Sequence, residues 1–202
     1  MAKKKASVNK KEQFTKKKGT SIPLIFGGVA VAIAVLVGAT FALNTKGGGQ
    51  ASSSAVRKKV SDPQTYAQSV DMTDIPSAVE DGKVVVDLDD VKKNLMVGFT
   101  YPGSQISVGG ANVDMPLVAF IDNNGKLNVS VAMCEPCKSI RFHIESDNTL
   151  TCNTCGAKWN LNDMSPVSGS CAQYPPEEQE YKVKGGKITI DETVLKSWSQ
   201  RV

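Results

Sequence analysis

Hydrophobic and polar positions divide the chain into three unlike stretches. Residues 1–21 have no sustained apolar pattern. Residues 22–43, "IPLIFGGVAVAIAVLVGATFAL", are continuously apolar or small and carry no charge. As a helix this run rises ~33 Å, enough to cross a bilayer core, so one transmembrane helix is predicted there. From residue 61 onward the pattern changes to short runs with a period of two, which argues for strands.

Those runs predict a mostly β domain. "KVVVDL" (83–88) and "NLMVGFTYPG" (94–103) are rich in strand formers, the second closed by Pro102 and Gly103. "PLVAFID" and "KLNVSVAM" flank Asn123-Asn124-Gly125, a hairpin signal with glycine supplying the positive φ. In the second of these strands Leu127, Val129, Val131 and Met133 alternate with Asn128, Ser130 and Ala132, which predicts one buried face. "IRFHIE" alternates as well and sets His143 on the face of Arg141 and Glu145, opposite Phe142 and Ile144. "EYKVKGGKITID" predicts a further hairpin around Gly185-Gly186, and "DETVLKSW" a short helix capped by Asp191.

Charge refines the outer stretches. Residues 1–20 hold eight lysines and one acid, Glu12, whereas residues 60–202 hold 12 Lys/Arg against 19 Asp/Glu. The positive charge is thus confined to one tail, which argues against a nucleic-acid partner. Lys16, Lys17 and Lys18 lie just before the apolar run and place the N-terminus in the cytoplasm. The predicted organisation is a basic cytoplasmic tail (1–21), a transmembrane anchor (22–43), a flexible Gly/Ser-rich linker (44–60) and an extracytoplasmic β-rich domain (61–202). A cleaved signal peptide is the rival for the anchor, although the run exceeds the usual h-region of ~7–15 residues.

The candidate chemistry lies in the cysteines. Four of the five fall in "CEPCKSIRFHIESDNTLTCNTCG" as C-x2-C-x14-C-x2-C: Cys134, Cys137, Cys152 and Cys155. Two such pairs predict two knuckles on hairpins, with the intervening strand, Asp147-Asn148 turn and return strand bringing four thiolates into one tetrahedron. Cys171 follows as a fifth sulfur. Disulfides are the usual fate of extracytoplasmic cysteines, but five is an odd number and a C-x-x-C bridge closes a very short loop. Cys134 and Cys137 also suit a thiol–disulfide oxidoreductase, although no βαβ pattern surrounds them. Neither pair is followed by His, which excludes covalent c-type haem at both.

Zinc, a single iron and an iron–sulfur cluster all accept four thiolates at this spacing. Other candidate ligands have blander readings: Asp87, Asp89 and Asp90 as a solvated turn, Met133 and Met164 as core, and His143 as a surface residue. The pattern suits a non-enzymatic electron-transfer or metal-binding protein, a structural zinc-binding interaction module, or the oxidoreductase. No Ser/His/Asp triad or phosphate loop is visible.

The order "VAFIDNNGKLNVSVAMCEPCKSIRFHIESDNTLTCNTCGAKWNL", then "GSCAQYPP" and "GGKITID", resembles the FtrD-like family of membrane iron–sulfur proteins, from about residue 75 to 195. The resemblance implies an iron–sulfur cluster on Cys134, Cys137, Cys152 and Cys155, with Cys171 the family's fifth cysteine. It also implies a membrane location and a partner such as an iron permease or another membrane redox protein. Two features depart from the family pattern: Gly169-Ser170-Cys171-Ala172-Gln173 stands where Gly-Gly-Cys-Asn-Pro is usual, and the segment between the pairs lacks a Gly-Tyr.

Overall fold

Strand formation follows the alternation read above, and the described part of the chain, residues 57–202 of a computed structural model, is mostly β. The expected tail (1–21) and anchor (22–43), with the linker up to residue 56, lie outside the described residues. Among the described residues no helix is long and apolar enough to cross a membrane.

The chain begins with β1 (Lys58–Lys59), β2 (Val70–Asp71), β3 (Thr73–Asp74) and β4 (Ala78–Glu80). Next come β5 (Lys83–Asp87), α1 (Leu88–Asn94), β6 (Met96–Val108), β7 (Ala111–Ile121) and β8 (Lys126–Val131). The cysteine region adds β9 (Phe142–Ile144), β10 (Thr149–Cys152), β11 (Lys158–Asn160) and β12 (Pro166–Ser168). The hairpin β13 (Lys182–Lys184) and β14 (Lys187–Asp191) and the short α2 (Glu192–Lys196) complete the fold.

Three sheets result, ordered β1-β8-β7-β6-β3, β12-β11-β10-β9-β2 and β13-β14-β5-β4. The first is covered on both faces. Leu117, Ala119 and Ile121 of β7 join Val84, Val86, Ile188 and Ile190 of the third sheet in one core. Val118 and Phe120, one residue out of phase, join Phe142, Leu150 and Trp159 of the cysteine-bearing sheet in a second core. A period-two strand buried on both sides is what this double contact produces.

That double burial changes the expectation for β8. Asn128 and Ser130 are as fully buried as Leu127 and Val129. Their short polar side chains satisfy part of their bonding internally, Ser130 Oγ donating to Asn128 Oδ1 at 2.6 Å.

Other elements also differ from the sequence reading. β6 does not stop at Pro102-Gly103 but continues through a bulge between Tyr101 and Gln105, with Gly103 at φ 80° absorbing the irregularity. Asp89 and Asp90 lie in the first turn of α1 rather than in a loop, where acids complement the helix dipole.

The last residues of the expected linker belong to the fold. Lys58 and Lys59 pair with Leu127 and Lys126, and Arg57 is buried. Gly125, at φ 74°, lets this segment pass: a Cβ there would lie 2.2 Å from the Ser61 carbonyl oxygen. Arg57 stacks on Phe120 and reaches three parts of the chain. Its guanidinium bonds Asp122 at 3.2 Å, Glu178 at 2.7 Å, and the Leu161 and Asn162 carbonyls, each at 2.7 Å.

Candidate metal centre

Two tight turns with the same local bonding carry the paired cysteines. In the first, Cys134 N–H donates to the Ser139 carbonyl at 2.8 Å; in the second, Cys152 N–H donates to the Ala157 carbonyl at 2.9 Å. The residue after each second cysteine is left-handed, Lys138 at φ 57° and Gly156 at φ 67°. Glycine adopts that conformation freely, whereas an ordinary L-residue pays ~1–2 kcal/mol. Lys138 is held in it from outside, since its Nζ donates to Gln200 Oε1 and the Val202 carbonyl, both at 2.9 Å.

A third segment delivers Cys171. Gly169, at φ 96°, packs so closely on the second turn that a Cβ would lie 2.7 Å from the Ala157 Cα. Trp159, fully buried, fixes the other side through Nε1–H to the Ala172 carbonyl at 2.7 Å.

The sulfurs converge. Cys134 Sγ lies 3.8 Å from Cys155 Sγ, and Cys137 Sγ lies 3.7 Å from Cys152 Sγ. The first cysteine of each turn therefore meets the second of the other, as facing knuckles require. The Sγ atoms of Cys134, Cys137, Cys155 and Cys171 all lie within 4.8 Å of one another. All five cysteines are free thiols. The floor of the site is sealed, with Cys134, Cys152 and Cys171 buried, while Cys137 is half-buried and Cys155 exposed.

The thiols are unequal. Cys152 is lowered to about 4, first because the Cys134 thiol donates to it, and further because Ser139 and the N–H groups of Thr154 and Cys155 point at its sulfur. Cys134 is pushed far up, first by giving that bond and then by burial. Cys155 rises to about 12, chiefly by burial and against the Ala157 N–H. The Cys152 thiolate thus forms readily, whereas Cys134 and Cys155 need a cation to balance their charge.

This donor set fits a metal held by thiolates. With a metal–sulfur bond of ~2.3 Å, the edge of a sulfur tetrahedron is ~3.8 Å, which the two crossed pairs match. Thiolate donors are also those that iron–sulfur centres use.

The strap that steadies the first knuckle left no signal in the sequence. Glu135, between Cys134 and Pro136, has a side chain only 1% exposed. Arg201 caps it, with Nε donating to Glu135 Oε1 at 2.6 Å and the Arg201 backbone N–H to Oε2. Arg201 also donates to the Pro175 carbonyl at 2.7 Å and stacks on Tyr174. A glutamate inside "CEPC" hints that some cation must meet it, but nothing points to a residue 66 positions away.

The remaining candidates lie elsewhere. His143 faces outward, bonded to Asn153 at 2.7 Å and near Glu145 at 3.4 Å. Met133 is buried in the first core and Met164 in the second. Asp87 pairs with Lys187 at 2.8 Å.

A family model described as "Membrane iron-sulfur containing protein FtrD-like" matches residues 104–202, a span that includes all five cysteines. The match covers just under half of the chain. The FtrD-like match begins later and ends later than the resemblance read from the motifs, and takes in the Arg201 strap. The search of curated proteins finds no match. Among solved structures, the ferredoxin of carbazole 1,9a-dioxygenase from Nocardioides aromaticivorans IC177 is similar at 13% identity. The similarity covers 53% of this chain and 93% of that chain at a TM-score of 0.34.

Proposed function

We propose that this protein displays a thiolate-ligated iron–sulfur centre outside the cytoplasm on a single membrane anchor, for electron transfer or iron handling beside a membrane iron transporter. The observation that carries the reading is the convergence of five cysteine sulfurs on one site with a solvent-facing edge at Cys155. A thiolate-bound iron supplies one-electron chemistry, and its potential follows burial and N–H···S bonding. Both levers are at hand in the buried floor and in the N–H groups aimed at Cys152.

The family description supports iron–sulfur chemistry and a membrane setting. The lysines before residues 22–43 support an N-in, C-out topology. The acidic balance of residues 60–202 suits a cationic partner or ion. An iron permease or another membrane redox protein is the partner class to test.

The test is purification of the full chain in detergent without oxygen, followed by iron analysis and absorption spectroscopy. Iron-dependent visible bands that bleach with dithionite and return on reoxidation are expected. Colourless protein holding stoichiometric zinc would instead establish a structural zinc module.

A further inference from the structure

Five sulfurs crowd a space that suits one four-coordinate ion. The knuckle cysteines Cys134, Cys137, Cys152 and Cys155 form one set of four, with crossed pairs at 3.8 and 3.7 Å. Cys134, Cys137, Cys155 and Cys171 form another, all within 4.8 Å of one another. The two sets share three sulfurs and differ only in Cys152 or Cys171.

Resting on the reading of a thiolate-ligated centre, we propose that the site holds a single tetrahedral metal ion, with Cys152 and Cys171 as interchangeable fourth ligands. Tetrahedral edges of ~3.8 Å are those of one ion with metal–sulfur bonds of ~2.3 Å. In a sulfide-bridged cluster the cysteines are divided among several irons, and the inorganic core holds them apart. Sulfurs from three separate segments, mutually within 4.8 Å, leave no such space between them.

Both fourth ligands are built in. Cys152 is positioned by the second knuckle, its N–H donating to the Ala157 carbonyl at 2.9 Å and its sulfur lying 3.7 Å from Cys137 Sγ. Cys171 is held by the Gly169–Ala157 approach and by Trp159 through the Ala172 carbonyl. A spare thiol beside a filled tetrahedron opens an associative route: its sulfur bonds to the metal, a neighbouring thiolate leaves, and the proton of the incoming thiol passes to the leaving one. No electron is transferred in that exchange. The exposed Cys155 edge gives an acceptor thiol or carboxylate access to the same ion.

The test uses the full chain in detergent, purified without oxygen, with iron, zinc and acid-labile sulfide counted per chain. The same counts are made on Cys152→Ser, Cys171→Ser, the double variant and Cys134→Ser. One metal ion per chain with no sulfide is expected, retained in Cys152→Ser and in Cys171→Ser and lost in the double variant and in Cys134→Ser. Release of the ion to a chelator should slow in Cys171→Ser, because the incoming thiol is gone.

Sulfide with two or more irons per chain would overturn the single-ion proposal while leaving an iron–sulfur centre standing. One zinc and no iron would sustain the single-ion geometry and defeat the iron reading. Loss of metal from Cys152→Ser with circular dichroism unchanged would overturn interchangeability. The wild-type counts decide the number of ions even if the double variant fails to fold.

Discussion

Replacing Arg57 with alanine removes the centre of a buried ionic cluster that joins the start of the domain to the cysteine-bearing sheet. The Arg57 side chain is 1% exposed, Asp122 0% and Glu178 8%. Asp122 keeps the Asn124 and Lys126 N–H groups on Oδ1, so its Oδ2 alone is left dry and unpaired. Glu178 loses two donors, and the Leu161 and Asn162 carbonyls lose one each. Breaking a buried pair in this way costs ~3–5 kcal/mol, because the stranded charge rather than the lost attraction sets the penalty. Against a typical stability of ~5–15 kcal/mol, that is a fifth of the total or more.

Urea unfolding followed by fluorescence suits the measurement, since Trp159 is wholly buried. Arg57→Lys should fall between wild type and Arg57→Ala, because an ammonium cannot reproduce the guanidinium fork. A loss below ~1 kcal/mol for Arg57→Ala is the size of a surface pair, and would refute the placement of Arg57 inside the fold.

Gly169→Ala should destabilise by at least ~1–2 kcal/mol, since φ 96° and the contact with Ala157 both resist a side chain. Mass spectrometry after maleimide treatment of metal-free protein should show Cys171 labelled faster in that variant. Arg201→Ala leaves the Glu135 carboxylate buried without its main partner, at a cost of ~1.5–3 kcal/mol. A lower melting temperature, partly restored by Arg201→Lys, checks this.

On the outer face, Glu145 is held below the usual carboxylate range, chiefly by its bond from Lys158, and Asp147 chiefly by its bond from Thr149. Their stabilising effect is complete above the unfolded values of ~4.3 and ~3.9 and is lost as pH falls through the depressed folded ones. Lys158 is raised, chiefly by Glu145, so its contribution is present below ~10.4 and is lost as pH rises through the folded value. Lys158→Met should therefore flatten both the acid and the alkaline limbs of melting temperature against pH.

Much of the fold was legible because local chemistry sets it. Asn123-Asn124-Gly125 and Gly185-Gly186 make their hairpins, and Asp191 caps α2 by accepting the Thr193 N–H at 3.0 Å. The two C-x-x-C turns face each other, Cys134 against Cys155 and Cys137 against Cys152, while the four sulfurs mutually within 4.8 Å are those of Cys134, Cys137, Cys155 and Cys171.

What the sequence hid depends on long-range contact. The polar face of β8 looks solvent-facing until a second sheet covers it. Arg57 sits in a Gly/Ser-rich, lysine-flanked stretch, and its partners Asp122 and Glu178 are distant. α1 was obscured because its seven residues give too few turns to show a period of 3.6. Cys171 was visible as a fifth sulfur, but its approach to the others depends on one glycine contact.

The most direct test of a thiolate-ligated centre is X-ray absorption at the iron and zinc edges of the full chain, purified without oxygen. We expect iron in a shell of sulfurs alone at ~2.3 Å. A nitrogen or oxygen shell, or no bound metal at all, would contradict the centre described here.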